Sequence, residues 1–271
     1  MSRYALIAGN GRFPILALET ARAMGHEIVA IGIKEEASPE IETLAARCYW
    51  LSIGQLSRLI EILKEEQLTE LIMAGQVKHV SIFSSIRPDW RLLKVLTSLR
   101  AKNTDALIGG VARVLEDEGI RLVDSTLLLK PLLAGLGPLT KRKPNAEEEK
   151  DIRYGRRVAN RLALLDVGQS VCVCERAAVA VEAMEGTDAM LRRAASLANG
   201  RALRLVKVSR RRRHLLFDVP VAGAATIGVM RETNTTALAV DAGRTLLLDK
   251  DEMIQRANEA GIAIVGYEAE E

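Results

Sequence analysis

The chain has 271 residues, of which 48% are apolar, 27% charged and only 3% aromatic. That is enough apolar side chain for at least one large core built from aliphatic residues, which excludes global disorder. The 38 basic and 35 acidic residues leave a net charge of +3, too even a balance for a protein built to coat nucleic acid.

At about 150 residues per domain the length predicts two domains. Tyr4 to Ala8 is a short apolar strand, Gly9-Asn10-Gly11 a turn, and Pro14 opens a helix to about Met24. Glu27 to Ile33 is the second strand. Residues 38–46 and 55–66 read as helices, the latter with Leu56, Leu59, Ile60 and Leu63 on one face. Thr69 to Ala74 is a further buried strand, closed by Gly75. Continuous apolar strands alternating with helices predict a parallel sheet covered on both faces, a Rossmann-like α/β domain. Its ligands belong at the carboxyl ends of the strands, which places Gly9, Asn10 and Gly11 and the run Gly75-Gln76-Val77-Lys78-His79 at the edge to watch.

Helices follow from Pro88-Asp89-Trp90 to about Arg100 and from Asp105 to Glu118, then a strand over 120–123 and a short helix over 126–134. The stretch GLGPLTKRKPNAEEEKD, with its glycines, prolines and mixed charges, marks a boundary. The cut falls at 140–146, giving domains 1–140 and 141–271. Asn145 is positioned to cap the next helix, with Glu147, Glu148 and Glu149 in its first turn.

The second domain is a mixed α/β unit. A helix over 147–165 precedes strands Ser170 to Cys174 and Ala177 to Glu182 around a Glu175-Arg176 turn. Then come a helix from Thr187 to Leu197, a strand from Leu203 to Ser209, a helix over 223–232 and a strand from Ala237 to Val240. Ala242-Gly243-Arg244 reads as a hairpin turn into Leu246 to Leu248, before a last helix and a last strand from Ile262 to Val265. Cys172 and Cys174 share one face of their strand and read as buried, reduced thiols rather than a metal pair. The start of the chain has no long apolar leader, and no apolar run approaches the roughly 20 residues that span a bilayer. A cytoplasmic protein is expected.

Chemistry concentrates in the second domain. The run Val181-Glu182-Ala183-Met184-Glu185-Gly186-Thr187-Asp188 delivers three carboxylates and a glycine turn from a strand end into a helix start. Such a set can bind a hard divalent cation, Mg2+ or Mn2+, or else Asp188 merely favours the helix N-terminus while Glu185 faces water. Asp218, flanked by apolar residues and followed closely by Pro220, calls for a charged partner or a metal if buried, and otherwise caps the next helix. Lys207 ends a strand that aims it inward, where its charge suits a diphosphate. Arg210 to Arg213 and His214 form a basic run that suits anionic phosphate or simply a solvated loop, and no aromatics interleave to stack bases. Gly9-Asn10-Gly11 lacks the dinucleotide fingerprint, because position 14 is Pro. His79 is the better placed of the first domain's two histidines, and Asp105 starts a helix.

The ordered motifs identify the chain as similar to the UDP-2,3-diacylglucosamine pyrophosphatase family of lipid A biosynthesis. They are LIAGNGRFP at 6–14, MAGQVKH at 73–79, RPDWRLL at 87–93, TDALI at 104–108 and LEDEGIRLVDS at 115–125. The second half supplies LDVGQSVCV at 165–173, AVEAMEGTDAML at 180–191, FDVPVAGAATI at 217–227 and AVDAGRTLLLD at 239–249. The resemblance implies a Rossmann-like domain followed by a distinct catalytic α/β domain. It implies metal-dependent hydrolysis of UDP-2,3-diacylglucosamine to 2,3-diacylglucosamine 1-phosphate and UMP, with Mg2+ or Mn2+.

It places Asp218, Asp188 and Lys207 in catalysis, and Asp218, Asp188 and Glu185 on the metal. Substrate contacts then fall to Gly9, Asn10, Gly11, Gly75, Gln76, Lys78, His79, Asp105, Gly186, Thr187 and Arg213. The implied partners are the lipid-linked nucleotide sugar and a transient contact with the inner face of the inner membrane, with no nucleic acid. A second copy of the chain is expected only because most soluble oligomers are symmetric dimers. Two departures stand out. Arg213, His214 and Leu216 replace the family's glutamine, aspartate and arginine, and Asn103 and Thr104 replace a glycine and an acid. The rival expectation is a non-enzymatic binding protein for an anionic lipid or nucleotide sugar.

Overall fold

The computed structural model describes residues 2–75, 87–99, 104–124, 126–209 and 219–270, with only the backbone of Thr104 and Asp105. The chain divides into two compact units, Met1–Leu129 and Lys130–Glu271.

In the first unit β1 (Arg3–Ala8), α1 (Phe13–Ala23), β2 (Glu27–Ile33), α2 (Ile41–Leu44), β3 (Arg47–Leu51), α3 (Leu56–Glu65) and β4 (Glu70–Ala74) alternate. They are followed by α4 (Trp90–Ser98), α5 (Thr104–Asp117) and β5 (Arg121–Leu122). The sheet runs β3-β2-β1-β4-β5 and every pair in it is parallel. Ala5, Leu6, Val29, Ala30, Leu71 and Ile72 are fully buried, as continuous apolar strands between two helical layers must be. The order reverses between β1 and β4, so the crevice of such a sheet opens beside Gly9 and Gly75. The apolar face expected of α3 is buried through Leu56, Leu59, Ile60 and Leu63.

Two expectations need correction here. The helix over 38–46 is a single turn, and Arg47–Leu51 is the sheet's outer strand. Tyr49 and Trp50 favour a pleated surface over a helix. The helix over 126–134 is only a 3-10 turn at Lys130–Leu132, because Pro131 has no N–H to give and pushes the preceding residue from helical geometry.

The second unit comprises β6 (Gly137–Pro138), α6 (Ala146–Leu164), β7 (Ser170–Cys174), β8 (Ala177–Val181), α7 (Thr187–Ala198) and β9 (Leu203–Lys207). It continues with β10 (Val221–Gly223), α8 (Ala224–Glu232), β11 (Thr235–Asp241), β12 (Leu246–Leu248), α9 (Lys250–Glu259) and β13 (Ala263–Tyr267). Its sheet runs β6-β13-β11-β9-β7-β8. The β9, β11 and β13 strands are parallel, while β6, β7 and β8 join antiparallel, so the sheet is mixed. Residues 130–140, which the sequence assigns to the first domain, belong with this unit because Gly137 and Pro138 pair with β13.

One sheet face packs on α6 through Ile152, Ala159, Val173, Val206 and Ala239. The other carries Cys172, Leu205, Leu238 and Ile264 against Met190 of α7, Met230 of α8 and Met253 of α9. Cys172 and Cys174 lie together on that second face, free and buried. Burial pushes the Cys172 thiol up to about 12, so it is a packing residue. Gly155 lets α6 approach the sheet, since a Cβ there would sit 2.7 Å from Val206 and 2.9 Å from Val173. Asn145 caps α6 in a reciprocal box with Glu148, as its position predicts. The hairpin expected at 242–244 does not form. Both flanks of β11 are taken by β9 and β13, so β12 pairs instead with β10, in parallel.

Candidate functional site

At the carboxyl edge of the first unit, Gly9 donates its N–H to Ala74 O at 2.8 Å, tying the β1 end to the β4 end. Gly75 has φ +89, and a Cβ there would lie 2.6 Å from Asn10 O. Only glycine fits that position. Gly11 has φ +97 and open space around it. Asn10 and Gly11 are exposed, and Asn10 Nδ2 reaches Glu36 Oε2 at 3.4 Å. The first turn of α1 has no side-chain cap. Among the described residues this edge offers a ligand backbone groups and the Asn10 amide, with the Glu36 carboxylate beside it. Gln76, Lys78 and His79 lie outside the described residues, as do the side chain of Asp105 and the whole of Asp218, Arg213 and His214.

The second unit offers charge. Gly186, with φ 85, turns the chain from β8 into α7, a conformation that favours glycine. Thr187 then stands at the first turn, where free N–H groups and the helix dipole attract anions. Lys207, at the end of β9 and only 7% exposed, donates through Nζ to Thr187 Oγ1 at 2.9 Å. An ammonium can only donate, so the Thr187 hydroxyl proton goes elsewhere. It goes to Glu182 Oε1, also at 2.9 Å. Ser170 pairs with Lys207 across β7 and β9. Among the described residues, the Ser170 hydroxyl and the second oxygen of Glu182 are buried without a hydrogen-bond partner. Buried polar atoms of that kind call for a water or a ligand.

The three acids of this run diverge. Glu182 holds Thr187. Glu185 pairs with Arg193 at 2.5 Å and accepts the Ala183 N–H, and the Arg193 guanidinium holds its carboxyl below the usual range. Asp188 Oδ1 faces Thr226 Oγ1 of α8 at 3.4 Å. Among the described residues no three His, Cys, Asp or Glu side chains converge, so these residues alone do not make a cation cage.

Sequence reasoning missed a second constellation. Arg156 of α6 donates to Asp241 Oδ1 at 2.7 Å, with the two side chains 9% and 1% exposed. Ser209 gives both its N–H and its hydroxyl to Asp241 Oδ2, at 2.7 and 3.0 Å. Arg156 also bonds Glu268 O and lies 5.1 Å over the Tyr267 ring. The group fixes the backbone just beyond β9, and with it the end of the strand that carries Lys207. The available signal was an acid directly ending a β-branched strand, opposite an arginine on a helix face that is otherwise buried. Glu182 and Thr187 were both seen in the sequence, but the bond between them was not.

Solved structures give only weak likenesses. A nucleoside-diphosphate-sugar epimerase of Pseudomonas aeruginosa is 14% identical, with a TM-score of 0.28 over 44% of this chain and 31% of that chain. A UDP-glucose-4-epimerase of Stenotrophomonas maltophila is 16% identical, with a TM-score of 0.27 over 44% of this chain and 34% of that chain. The chain thus spans about a third of each, and these likenesses carry no argument. The sequence comparisons are decisive. The LpxI N-terminal domain model matches residues 3–132 and the LpxI C-terminal domain model residues 135–265. The protein named UDP-2,3-diacylglucosamine pyrophosphatase LpxI of Caulobacter vibrioides is 32% identical over 281 aligned positions, covering 100% of this chain and 99% of that protein. The chain belongs to the LpxI family.

Proposed function

We propose that this protein hydrolyses the diphosphate of UDP-2,3-diacylglucosamine, releasing 2,3-diacylglucosamine 1-phosphate and UMP, as a step of lipid A biosynthesis. The full-length 32% identity to the pyrophosphatase of that name carries the reading. The arrangement at the start of α7 supports it, because it joins a helix N-terminus to a buried lysine.

In this reading, water attacks the phosphorus nearest the sugar, the anhydride P–O bond breaks and UMP leaves. Lys207 offsets the charge that grows on the phosphoryl oxygens. The first N–H groups of α7, beyond Gly186, hold a phosphate oxygen. Thr187 contributes its backbone and holds Lys207, since its hydroxyl proton is committed to Glu182. Asp218 and Asp188 are the acids we assign to Mg2+ or Mn2+, which when bound would add positive charge at the diphosphate. Glu185 would join them only by leaving Arg193. Gly9, Asn10, Gly11 and Gly75 are assigned to the uridine or its phosphate, with Gln76, Lys78, His79, Asp105 and Arg213 as further contacts. A cytoplasmic enzyme working at the inner membrane surface, as a homodimer, fits a lipid-linked substrate. No helix among the described residues is long and apolar enough to cross a membrane.

Incubation of the purified protein with UDP-2,3-diacylglucosamine and Mn2+ tests the activity. UMP is expected with the metal and is expected to vanish with a chelator. Tight binding without product would favour a non-enzymatic carrier instead.

A further inference from the structure

The outer face of α6 is absorbed by none of this chemistry. At 3.6 residues per turn, Ile152, Gly155, Ala159 and Ala163 face the sheet and are buried. The opposite stripe holds Lys150, Arg153, Arg157 and Arg161, with Tyr154 among them and Arg157 lying 6.0 Å over its ring. From Lys150 to Leu165 the only acid is Asp151. It is buried on the other side, bonded to the Arg176 N–H and facing Arg204 at 3.5 Å. At the start of the stripe Lys150 pairs with the exposed Glu147 at 2.7 Å. About three turns of exposed helix, from Arg153 to Leu164, therefore carry one sign of charge, where a solvated face ordinarily mixes both.

The stripe ends in apolar side chains directed at solvent, with the exposed Asp166 between the second and the third of them. Leu164 is 48% exposed, Leu165 73% and Val167 43%. Two clefts run along it. One of about 600 Å³ is lined by Tyr154, Arg157, Arg161 and Leu164, and one of about 490 Å³ by Lys150, Arg153, Arg157 and Arg176, with Glu270 bordering both. A basic helix face that runs out into exposed leucines matches one kind of surface at both ends. Phosphate headgroups meet the arginines, and the acyl boundary receives the leucines. A nucleic acid would leave the leucines in water.

We propose that the outer face of α6 and the turn after it dock on an anionic phospholipid bilayer. Arg153, Arg157 and Arg161 sit on headgroup phosphates, and Leu164, Leu165 and Val167 enter the interface. Long arginine stems let the charges reach the phosphates while the helix lies flat. The proposal is read without substrate, so it stands or falls separately from the hydrolytic activity.

Cosedimentation of the full chain with phosphatidylcholine vesicles, with and without phosphatidylglycerol, tests it. The wild type should bind the phosphatidylglycerol vesicles at low salt, release at high salt and ignore pure phosphatidylcholine. The triple variant R153Q/R157Q/R161Q should bind about a hundredfold more weakly, at roughly fivefold per charge. The variant L164N/L165N should bind about tenfold more weakly. Both variants should keep the wild-type circular dichroism melt. No vesicle binding by the wild type, equal binding to neutral vesicles, or unchanged binding by either variant would overturn the proposal. Vesicle binding by a protein that turns over no substrate would sink the proposed activity and leave this surface standing.

Discussion

The two units solve ligand contact in different ways. The first is an all-parallel sheet whose candidate edge, among the described residues, is mostly backbone, namely Gly9, Gly11 and Gly75. Its buried acid, Glu66 on Arg3 and Arg47, lies at the amino ends of the strands. The second is a mixed sheet that places buried charge at its candidate site, with Lys207 on Thr187 and Thr187 on Glu182, and buries Arg156 on Asp241 at the end of β11. A backbone edge tunes fit and costs little to build. Buried charge is costly unless every group is partnered, so it is kept where it has a task. Side-chain changes in the second unit should therefore remove turnover, and glycine changes in the first should alter stability and affinity.

The largest effects are expected at Asp218 and Lys207. D218N and K207A should each lower kcat by about a hundredfold or more, as loss of a group opposing phosphoryl charge does. Steady-state UMP release reads this, and K207R should recover part of it. K207A should also lower the melt, because it removes a buried cation bonded to Thr187. D241N should act mainly on stability. It leaves Arg156 buried and facing a neutral partner, at a cost of about 3–5 kcal/mol read by urea denaturation. The double change R156M/D241L should recover only part of that loss, because it leaves the buried Ser209 N–H and hydroxyl without their acceptor. T187V should lower kcat about tenfold by removing the hydroxyl that bonds both Lys207 and Glu182, while T187S keeps both bonds and should behave as wild type.

These contrasts also show what a reader of the sequence could see. The first unit was legible because its strands are continuous apolar runs and its turns are glycines. β3 was missed because the residues before it mimic a helical spacing. β10 and β12 were missed as a pair because three-residue strands carry no periodic signal and find each other across the chain. In the second unit Gly186, Thr187 and Asp188 announced the start of α7. Alternation predicted the inward Lys207, which is found buried. What alternation lacks is partnership. Arg156 and Asp241 are 85 positions apart, and only the packing of α6 on the sheet joins them. The divergence of Glu182, Glu185 and Asp188 was equally hidden, because a strand end, a turn and a helix start aim neighbouring residues in different directions.

Smaller effects sharpen the comparison. Glu148 is buried, which alone would raise its carboxyl, but bonds from Arg142, Thr236 and the Asn145 N–H outweigh this and bring it down to about 2 from 4.5. A carboxyl lowered on folding adds stability above its unfolded value and loses it as the pH falls through the folded one. The second unit should thus lose on the order of 2 kcal/mol between about pH 5 and pH 2. E148Q should flatten that acid limb in a pH series of thermal melts. In the first unit G75A should cost about 1–3 kcal/mol, through its positive φ and the approach to Asn10 O. G11A meets only the strain of φ, so it should cost about 1 kcal/mol or less.

The most direct test compares UMP release from UDP-2,3-diacylglucosamine by the wild type, K207A and G11A under one metal condition. The account predicts rapid release by the wild type, loss of kcat in K207A, and a kcat close to wild type in G11A with any change confined to KM. Undiminished turnover by K207A, or a collapse of kcat in G11A, would contradict the assignment of the chemistry to the second unit.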